Sequence, residues 1–385
     1  MKRSFRLLVL AALLFACLLL GGCGNGREIE EYLFPIMLGL DAAGENQLQI
    51  TVKALSGNAG ASGSEDAQEM GGDTGYITLS ATGHDYVQAL SLLRATIPRT
   101  LNLSQLLEVV ITETLARSQA MAPLLSDIQR YDRANGNATL VVCAGRAQEV
   151  LEKQQAYVGT RISRYLEILL SQYQEKGTIP YATLLSASRA FSGDTMAPLA
   201  VYVAINEFDA RLPVSEENTL GMLPGHLDRE SPNPVEYMGS AVFSAGRMTG
   251  TLTGAQTQML RMLTGDFTTL QYSVDGVEYV LRGLWPAHRS VRTRPSGETL
   301  CAQLWLSAQA LDGTPVADPD ALAQGLAQDA RALLSLLQAL GADAAGFGRT
   351  QLWRHVTSES WAASGWPDRY ANCDIEVEIR LFPPT

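Results

Sequence analysis

The chain has 385 residues, with 40 acidic and 29 basic side chains, 46% hydrophobic and 18% charged residues. That composition excludes a disordered or fibrous chain and fits a globular protein of two or three domains. The acidic balance argues against nucleic acid as a partner and against attachment to an anionic membrane by charge alone, since the densest basic stretch holds only Arg282, Arg289, Arg292 and Arg294 at the spacing of a strand face.

At the start, Met1 to Arg6 is positively charged, Leu7 to Leu20 is an almost unbroken apolar run, and Leu20-Gly21-Gly22-Cys23 closes it with two small residues before a cysteine. The run is shorter than the roughly 20 residues that span a bilayer, and its flanks have the pattern of a cleaved signal. This stretch resembles a bacterial lipoprotein signal, in which the cysteine is lipidated and becomes the new N-terminus. Cys23 is the expected lipidation site, because a thiolate is the one side chain of the segment nucleophilic enough to accept a lipid. An uncleaved anchor and an ordinary signal with a chance cysteine are the competing readings. Removal of residues 1–22 takes three of the 29 basic residues and leaves 26 against 40, net −14. A diacylglyceryl Cys23 predicts firm tethering to the outer face of a membrane, because two acyl chains hold where one does not.

Asn25 to Glu31 reads as a polar tether. Leu33 to Asp41 reads as a buried strand and Gln47 to Leu55 as an alternating one, joined by a turn at Gly44-Glu45-Asn46. Ser56 to Gly75, rich in Gly, Ser and acid, is expected to be a solvated loop. Tyr76 to Ala81 is a third strand, and a helix follows from Thr82-Gly83-His84-Asp85, with Val87, Leu90, Leu93 and Ile97 at helical spacing and Pro98 as its stop. Leu106 to Thr112 and Ala138 to Ala144 read as strands around a helix at Leu115 to Tyr131. Arg146 to Lys176 reads as helical and Gly177 to Pro198 as a linker. Pro198 to Asn206 is a strand and Glu207 to Pro234 a loop. Tyr237 to Phe243 and Met248 to Leu252 form a hairpin before a helix at Thr253 to Leu263.

Strand-like runs at Tyr272 to Leu284, His288 to Arg294 and Thr299 to Leu311 precede a long helix from Asp318, with Leu322, Leu326, Leu333, Leu337 and Leu340 on one side. A second helix at Gly348 to Trp361 and a half-buried strand at Cys373 to Leu381 complete the chain. The expected fold class is α+β, with sheets covered by helices. The expected division is a signal peptide over 1–22, an N-terminal domain over 23–195, a small middle domain over 196–268 and a C-terminal domain over 269–385.

The order of these landmarks resembles the Ger(x)C family of spore germination lipoproteins. The matching features are the lipobox, Glu28-Ile29 before an apolar strand with Gly39 and Asp41, the strand ending Thr51-Val52-Lys53, and Ala89 to Arg99 before Glu108 to Ile111. Further on come Gly239-Ser240-Ala241-Val242-Phe243 and its turn, Leu252-Thr253-Gly254, Gly346-Phe347-Gly348, Trp353 and the closing strand Asp374 to Arg380. The chain departs from the family's Lys-rich habit in being acidic and rich in Ala, Leu and Arg, and its Ser56 to Gly75 loop is long. The resemblance implies three α+β domains at the outer face of the spore inner membrane, acting in nutrient-triggered germination with a membrane-embedded A subunit and a permease-like B subunit.

Catalytic signatures do not occur in the sequence: it has no GxSxG, HExxH or Walker A pattern. Gly346-x-Gly348 lacks a third glycine and reads as packing or capping. His84, His226, His288 and His355 fall in separate elements, so no metal or cofactor is expected. Cys143, Cys301 and Cys373 lie among apolar residues and read as buried free thiols, with a disulfide between two of them as the alternative. Asp374, Glu376 and Glu378 read as a solvated strand face rather than a catalytic pair. Trp353, Trp361 and Trp366 read as one apolar side of a helix and its following turn, part of which can be an interface. The leading expectation is a non-catalytic lipid-anchored receptor subunit. A transporter-associated solute-binding lipoprotein and an extracytoplasmic hydrolase are the alternatives.

Overall fold

The computed structural model describes Phe5 and residues 28–44, 46–55, 75–132, 134–158, 161–193, 195–207, 219–274, 277–355 and 357–383. Cys23 with its lipobox, and positions 56–74 of the expected loop, lie outside these residues.

The first part of the chain runs β1 (Tyr32–Leu33), β2 (Pro35–Ala42), β3 (Leu48–Leu55), β4 (Tyr76–Gly83), α1 (Tyr86–Thr96), β5 (Thr100–Leu101), β6 (Glu108–Thr112), α2 (Glu113–Ala116), α3 (Met121–Asp132), β7 (Thr139–Cys143), α4 (Ala147–Lys153), α5 (Ile162–Glu175), α6 (Leu184–Gly193), β8 (Leu199–Ile205), β9 (Val235–Ser244) and β10 (Arg247–Leu252). Eight of these strands make one sheet in the order β10-β9-β8-β7-β6-β2-β3-β4. β2, β6, β7 and β8 are parallel neighbours, and antiparallel strands extend them on both sides. β6 and β7 are buried at every residue, which is why they read as nearly continuous apolar runs. Residues of α1, α3 and α6 pack on one face of the sheet and residues of α4 and α5 on the other.

Several expected boundaries shift for local reasons. The helical stretch 146–176 is two helices, because Gln154 is buried with an extended backbone and its carbonyl accepts from Lys53 Nζ at 2.6 Å. The linker 177–198 contains α6, whose first turn is held by reciprocal bonds between Thr183 and Ser186 and whose Leu184 and Ala187 join the core. In α1 the buried side is Tyr86, Ala89, Leu90 and Leu93, while Val87 is exposed. The strands of the expected middle unit, 196–268, form no sheet of their own. β8, β9 and β10 continue the first sheet, because β8 pairs in parallel with β7.

The second part runs α7 (Gly254–Thr264), β11 (Thr269–Val274), β12 (Val277–Gly283), β13 (His288–Arg294), β14 (Gly297–Ala310), α8 (Pro319–Ala339), α9 (Ser358–Ala362), α10 (Trp366–Ala371) and β15 (Asp374–Phe382). The expected strand 272–284 is thus an antiparallel pair, β11 and β12. The expected helix 348–361 is a 3-10 turn, Gly348–Arg354, followed by the short α9. β12 and β13 pair with different halves of β14, and β15 pairs in parallel along its opposite edge. α8 covers one face of this second sheet through Leu322, Leu326, Leu333 and Leu337. Asp318 caps α8 by accepting from Ala321 N, with Pro319 in the first turn, and so fixes where the helix begins.

α7 joins the two parts. It starts with a Thr253–Gln256 capping box and ends at Gly265, whose φ of 78° is the left-handed conformation that glycine adopts without strain. Eight of its residues are buried, so it is an internal helix. Gln258 Nε2 donates to the carbonyls of Lys176 at 2.7 Å and Gln271 at 3.0 Å. The Arg261 guanidinium donates to the carbonyls of Gln174 and Asp266 and stacks 4.3 Å over the Tyr181 ring. These two side chains bind the end of α5 to the start of the second sheet.

Candidate functional site

Polar chemistry concentrates at two places in the first sheet. The first is a sealed row across neighbouring strands, where Met37 pairs with both Lys53 and Glu108, and Glu108 pairs with Thr139. Glu108 is fully buried and Lys53 nearly so. The Tyr237 hydroxyl lies 3.0 Å from Glu108 Oε2 and 3.4 Å from Gln154 Oε1. Among the described residues, Glu108 Oε1 and Gln154 Nε2 have no hydrogen-bond partner. Burial pushes the Glu108 carboxyl up to about 8, against the lowering effect of the Tyr237 bond. Glu108 therefore carries its proton at neutral pH and touches no solvent, which suits it to holding strands together rather than to attacking a substrate.

The second place is a cleft of about 350 Å³ at the carboxyl ends of β7 and β8, lined among others by Gly145, Glu149, Lys153, Tyr202, Asn206 and His226. Parallel strands in helix-covered sheets commonly bind ligands at this end. Two glycines shape it. Gly145 turns the chain after β7 at φ 83°, and Gly225 at φ 101° sits where a side chain would reach Ala204 Cβ at 3.0 Å. Below the cleft the buried Glu236 is fully engaged, accepting from Asn206 Nδ2, Gly225 N and Arg229 Nε, each at 2.6 Å. The Tyr202 hydroxyl donates to Glu113 Oε2 at 2.7 Å. The cleft thus offers cationic and anionic side chains around a fixed floor, an arrangement suited to a small polar molecule.

The residues singled out from the sequence are dispersed. Cys23 lies outside the described residues. Cys143, Cys301 and Cys373 are free and buried. Burial raises all three thiols, Cys373 to about 11, which removes nucleophilic character. His84, His226 and His288 are exposed, and His355 packs edge-on against Trp361. Among the described residues no group of three His, Cys, Asp or Glu side chains comes together to hold a metal. Asp374, Glu376 and Glu378 lie on the open face of the second sheet. There Glu376 meets Arg294 at 2.5 Å, and Glu378 accepts from Gln303 at 2.8 Å and pairs with Arg380.

The tryptophans divide. Trp361 and Trp366 are core residues, while Trp353 is 78% exposed, with the Arg354 guanidinium over its ring, because the segment carrying it is a 3-10 turn rather than part of one helix with Trp361. Gly346-x-Gly348 is a packing motif. The buried Asp343 carboxylate accepts from Phe347 N at 2.9 Å, Gly348 N at 2.6 Å and Trp366 Nε1 at 3.0 Å.

Residues 25–205 match the sequence profile described as a spore germination protein N-terminal domain. YfkR of Bacillus subtilis (strain 168), named as a candidate spore germination protein, is 27% identical over 207 residues, which are 50% of this chain and 53% of that one. Spore germination protein KC of the same strain is 22% identical over 218 residues, 55% of this chain and 52% of that one. Residues 25–205 carry the N-terminal domain of Ger(x)C spore germination proteins.

The crystal structure of the GerBC protein resembles it in fold, with a TM-score of 0.51 at 13% identity over 90% of this chain and 97% of that one. The chain spans about half the length of the curated relatives it matches. Both the sealed Glu108 row and most of the cleft lining fall within the Ger(x)C N-terminal domain, whereas the Asp343 clasp and the second sheet follow it. The α+β class expected of a Ger(x)C protein is the one found. Among the described residues no helix is long and apolar enough to cross a membrane.

Proposed function

We propose that this protein is a non-catalytic, lipid-anchored subunit of a nutrient germinant receptor. It is held through acylated Cys23 at the outer face of the spore inner membrane and is required for germination through assembly with A and permease-like B subunits. The observation that carries this reading is a germination domain over 25–205 that directly follows an apolar run ending in Leu20-Gly21-Gly22-Cys23. The non-catalytic role is supported by where the perturbed groups lie: Glu108, Asp343 and Cys143 are all enclosed by the fold.

A pull-down of the tagged full-length protein from detergent-solubilised spore membranes, with a Cys23→Ala control, tests it. Co-purification of a permease-like protein and a second polytopic subunit is the expected result, and the control reads out whether lipidation is needed for assembly. Recovery of the protein alone, or with ATP-driven transporter subunits, would remove the receptor reading.

The cleft of about 350 Å³ favours a second reading, a solute-binding lipoprotein of a transporter. Titration calorimetry of the full-length protein in detergent against a panel of L-amino acids and monosaccharides tests it. Saturable binding abolished by Lys153→Ala would support this reading, and absence of heat across the panel would dismiss it.

A further inference from the structure

Several chain ends meet at one corner of the first sheet. β2, β6 and β7 begin there, since Met37 pairs with Glu108 and Glu108 with Thr139. β1 lies beside them, paired in parallel with β5, and the Leu33 carbonyl accepts from Asn102 N at 3.0 Å. α1 ends just before β5 and α3 just before β7, so both helices finish at this corner. α6 starts there, because its Leu184 and Leu185 amides donate to the carbonyls of Ala138 and Gly136. Gln129 Nε2 donates to Ser188 Oγ at 3.0 Å and binds α3 to α6.

The same corner is where the chain enters the fold. Cys23 stands five residues before Glu28, which opens the turn leading into β1. Five extended residues reach at most about 18 Å, so a lipid on Cys23 keeps this corner beside the bilayer. The cleft, at the carboxyl ends of β7 and β8, lies at the other end of the same strands.

The surface at this corner matches phospholipid headgroups. Leu92, Tyr131 and Leu185 are each more than a third exposed, and Arg99, Arg130 and Arg189 are exposed with them. The Arg130 guanidinium lies 5.9 Å from the centre of the Tyr131 ring. Charge separates the two helical layers. α1, α3 and α6 carry Arg94, Arg130 and Arg189 against Asp127 and Asp132, whereas α4 and α5, on the opposite face, carry Glu149, Glu152, Glu167 and Glu175 against Lys153 and Arg164. Glu28, Glu30 and Glu31 are exposed too, but on the turn at the root of the tether rather than on the helices. Arginines pair with phosphates, and apolar and tyrosine side chains settle in the interfacial zone just below them.

We propose that this corner is a bilayer-docking surface, on which Arg99, Arg130 and Arg189 pair with lipid phosphates while Leu92, Tyr131 and Leu185 enter the interfacial zone. The cleft is then left open to solvent. The inference rests on the lipid-anchored reading and adds which surface meets the membrane. Docking supplements the acyl chains, which supply the attachment itself.

Quenching by nitroxide-labelled lipid tests it, on the full-length acylated protein in vesicles of phosphatidylcholine and phosphatidylglycerol. Cys143, Cys301 and Cys373 are buried, so an introduced surface cysteine takes the fluorophore. A headgroup-level nitroxide is expected to quench the probe on Ala95→Cys, in the last turn of α1, roughly threefold or more over the probe on His226→Cys at the cleft. Arg99→Gln with Arg130→Gln and Arg189→Gln should abolish that difference, each arginine being worth about fivefold in docking, while the acyl chains keep the protein on the vesicles. Equal quenching at both positions of the otherwise unaltered protein, or stronger quenching at His226→Cys, overturns the inference. A triple variant that quenches like its parent overturns it as well. A mature protein whose mass shows no acyl chain removes the lipid-anchored reading, and the inference falls with it.

Discussion

The Tyr237 hydroxyl donates to Glu108 Oε2 at 3.0 Å, linking β9 to β6 across the two strands between them. The acceptor has its carboxyl raised from 4.5 to about 8 by burial, so between those values the folded protein holds a proton that the unfolded chain has released. Stability then falls as pH rises, by about 1.4 kcal/mol per unit, and levels off above about pH 8. Glu108→Gln keeps the shape and removes the titration. Urea denaturation at pH 5, 6.5 and 8 should show the variant gaining on the wild type as pH rises. A difference that stays constant with pH would mean that Glu108 is ionised throughout, held by Lys53 in the same row.

Removing the donor acts in the same network with a different signature. Tyr237→Phe leaves Glu108 Oε2 without its partner and is expected to destabilise the protein by about 1–3 kcal/mol. Because the Tyr237 bond lowers the Glu108 value, its loss should also move the sloping part of the stability profile to higher pH. The same urea series checks both effects, and an unshifted slope would separate the hydroxyl from the titration.

Asp343 organises the turn that joins α8 to the 3-10 segment, accepting two backbone amides and the Trp366 indole. Asp343→Ala leaves these donors buried and unmatched, and a loss of about 2–4 kcal/mol is expected. Gly348→Ala attacks the same clasp sterically, since its new carbon would lie 2.6 Å from Trp366 Nε1 and 2.9 Å from the Thr195 carbonyl. Asp374→Ala, on an exposed strand position, serves as the control and should change stability by no more than about 0.5 kcal/mol. Equal midpoints for Asp343→Ala and Asp374→Ala in urea would contradict the clasp.

Arg261 and Gln258 hold the end of α5 against the second sheet through backbone carbonyls. Arg261→Met keeps apolar bulk but abandons carbonyls on both sides of the junction. It should destabilise by about 1–3 kcal/mol and raise hydrogen exchange in residues 174–178 and 269–274 together. Faster exchange confined to one of these segments would mean that the two parts are joined elsewhere.

Elements whose burial follows a simple period are legible in the sequence. β3, α8 and β15 show it well, because each keeps one apolar side along its whole length. The splitting of 146–176 is not legible, because Gln154 is drawn inward by Lys53, a residue 101 positions away. The continuity of β8, β9 and β10 with the first sheet depends on the β7–β8 pairing, which no local pattern encodes. The sealed row leaves a trace at Glu108, a charged residue inside a run otherwise apolar on both faces, Leu106-Leu107-Glu108-Val109-Val110, but none at Lys53, which falls on the polar side of the alternating β3. A charge placed like Glu108 needs buried partners, and that requirement alone points to a polar network within the sheet. The cleft leaves no comparable trace, since its lining comes from strand ends, one helix and turns that only the sheet brings together.

The divided tryptophans give the last test. Trp366 is 2% exposed and donates to Asp343 Oδ2, so Trp366→Ala opens a cavity and removes one of the two donors to that oxygen, with an expected loss of about 3–5 kcal/mol. Trp353 makes no comparable contact, its ring lying open beneath Arg354, so Trp353→Ala should leave stability within about 0.5 kcal/mol. Urea midpoints of the two variants settle the contrast. A large loss for Trp353→Ala would return this residue to the core that its spacing from Trp361 suggests, and a small one leaves its ring on the open surface of the 3-10 turn.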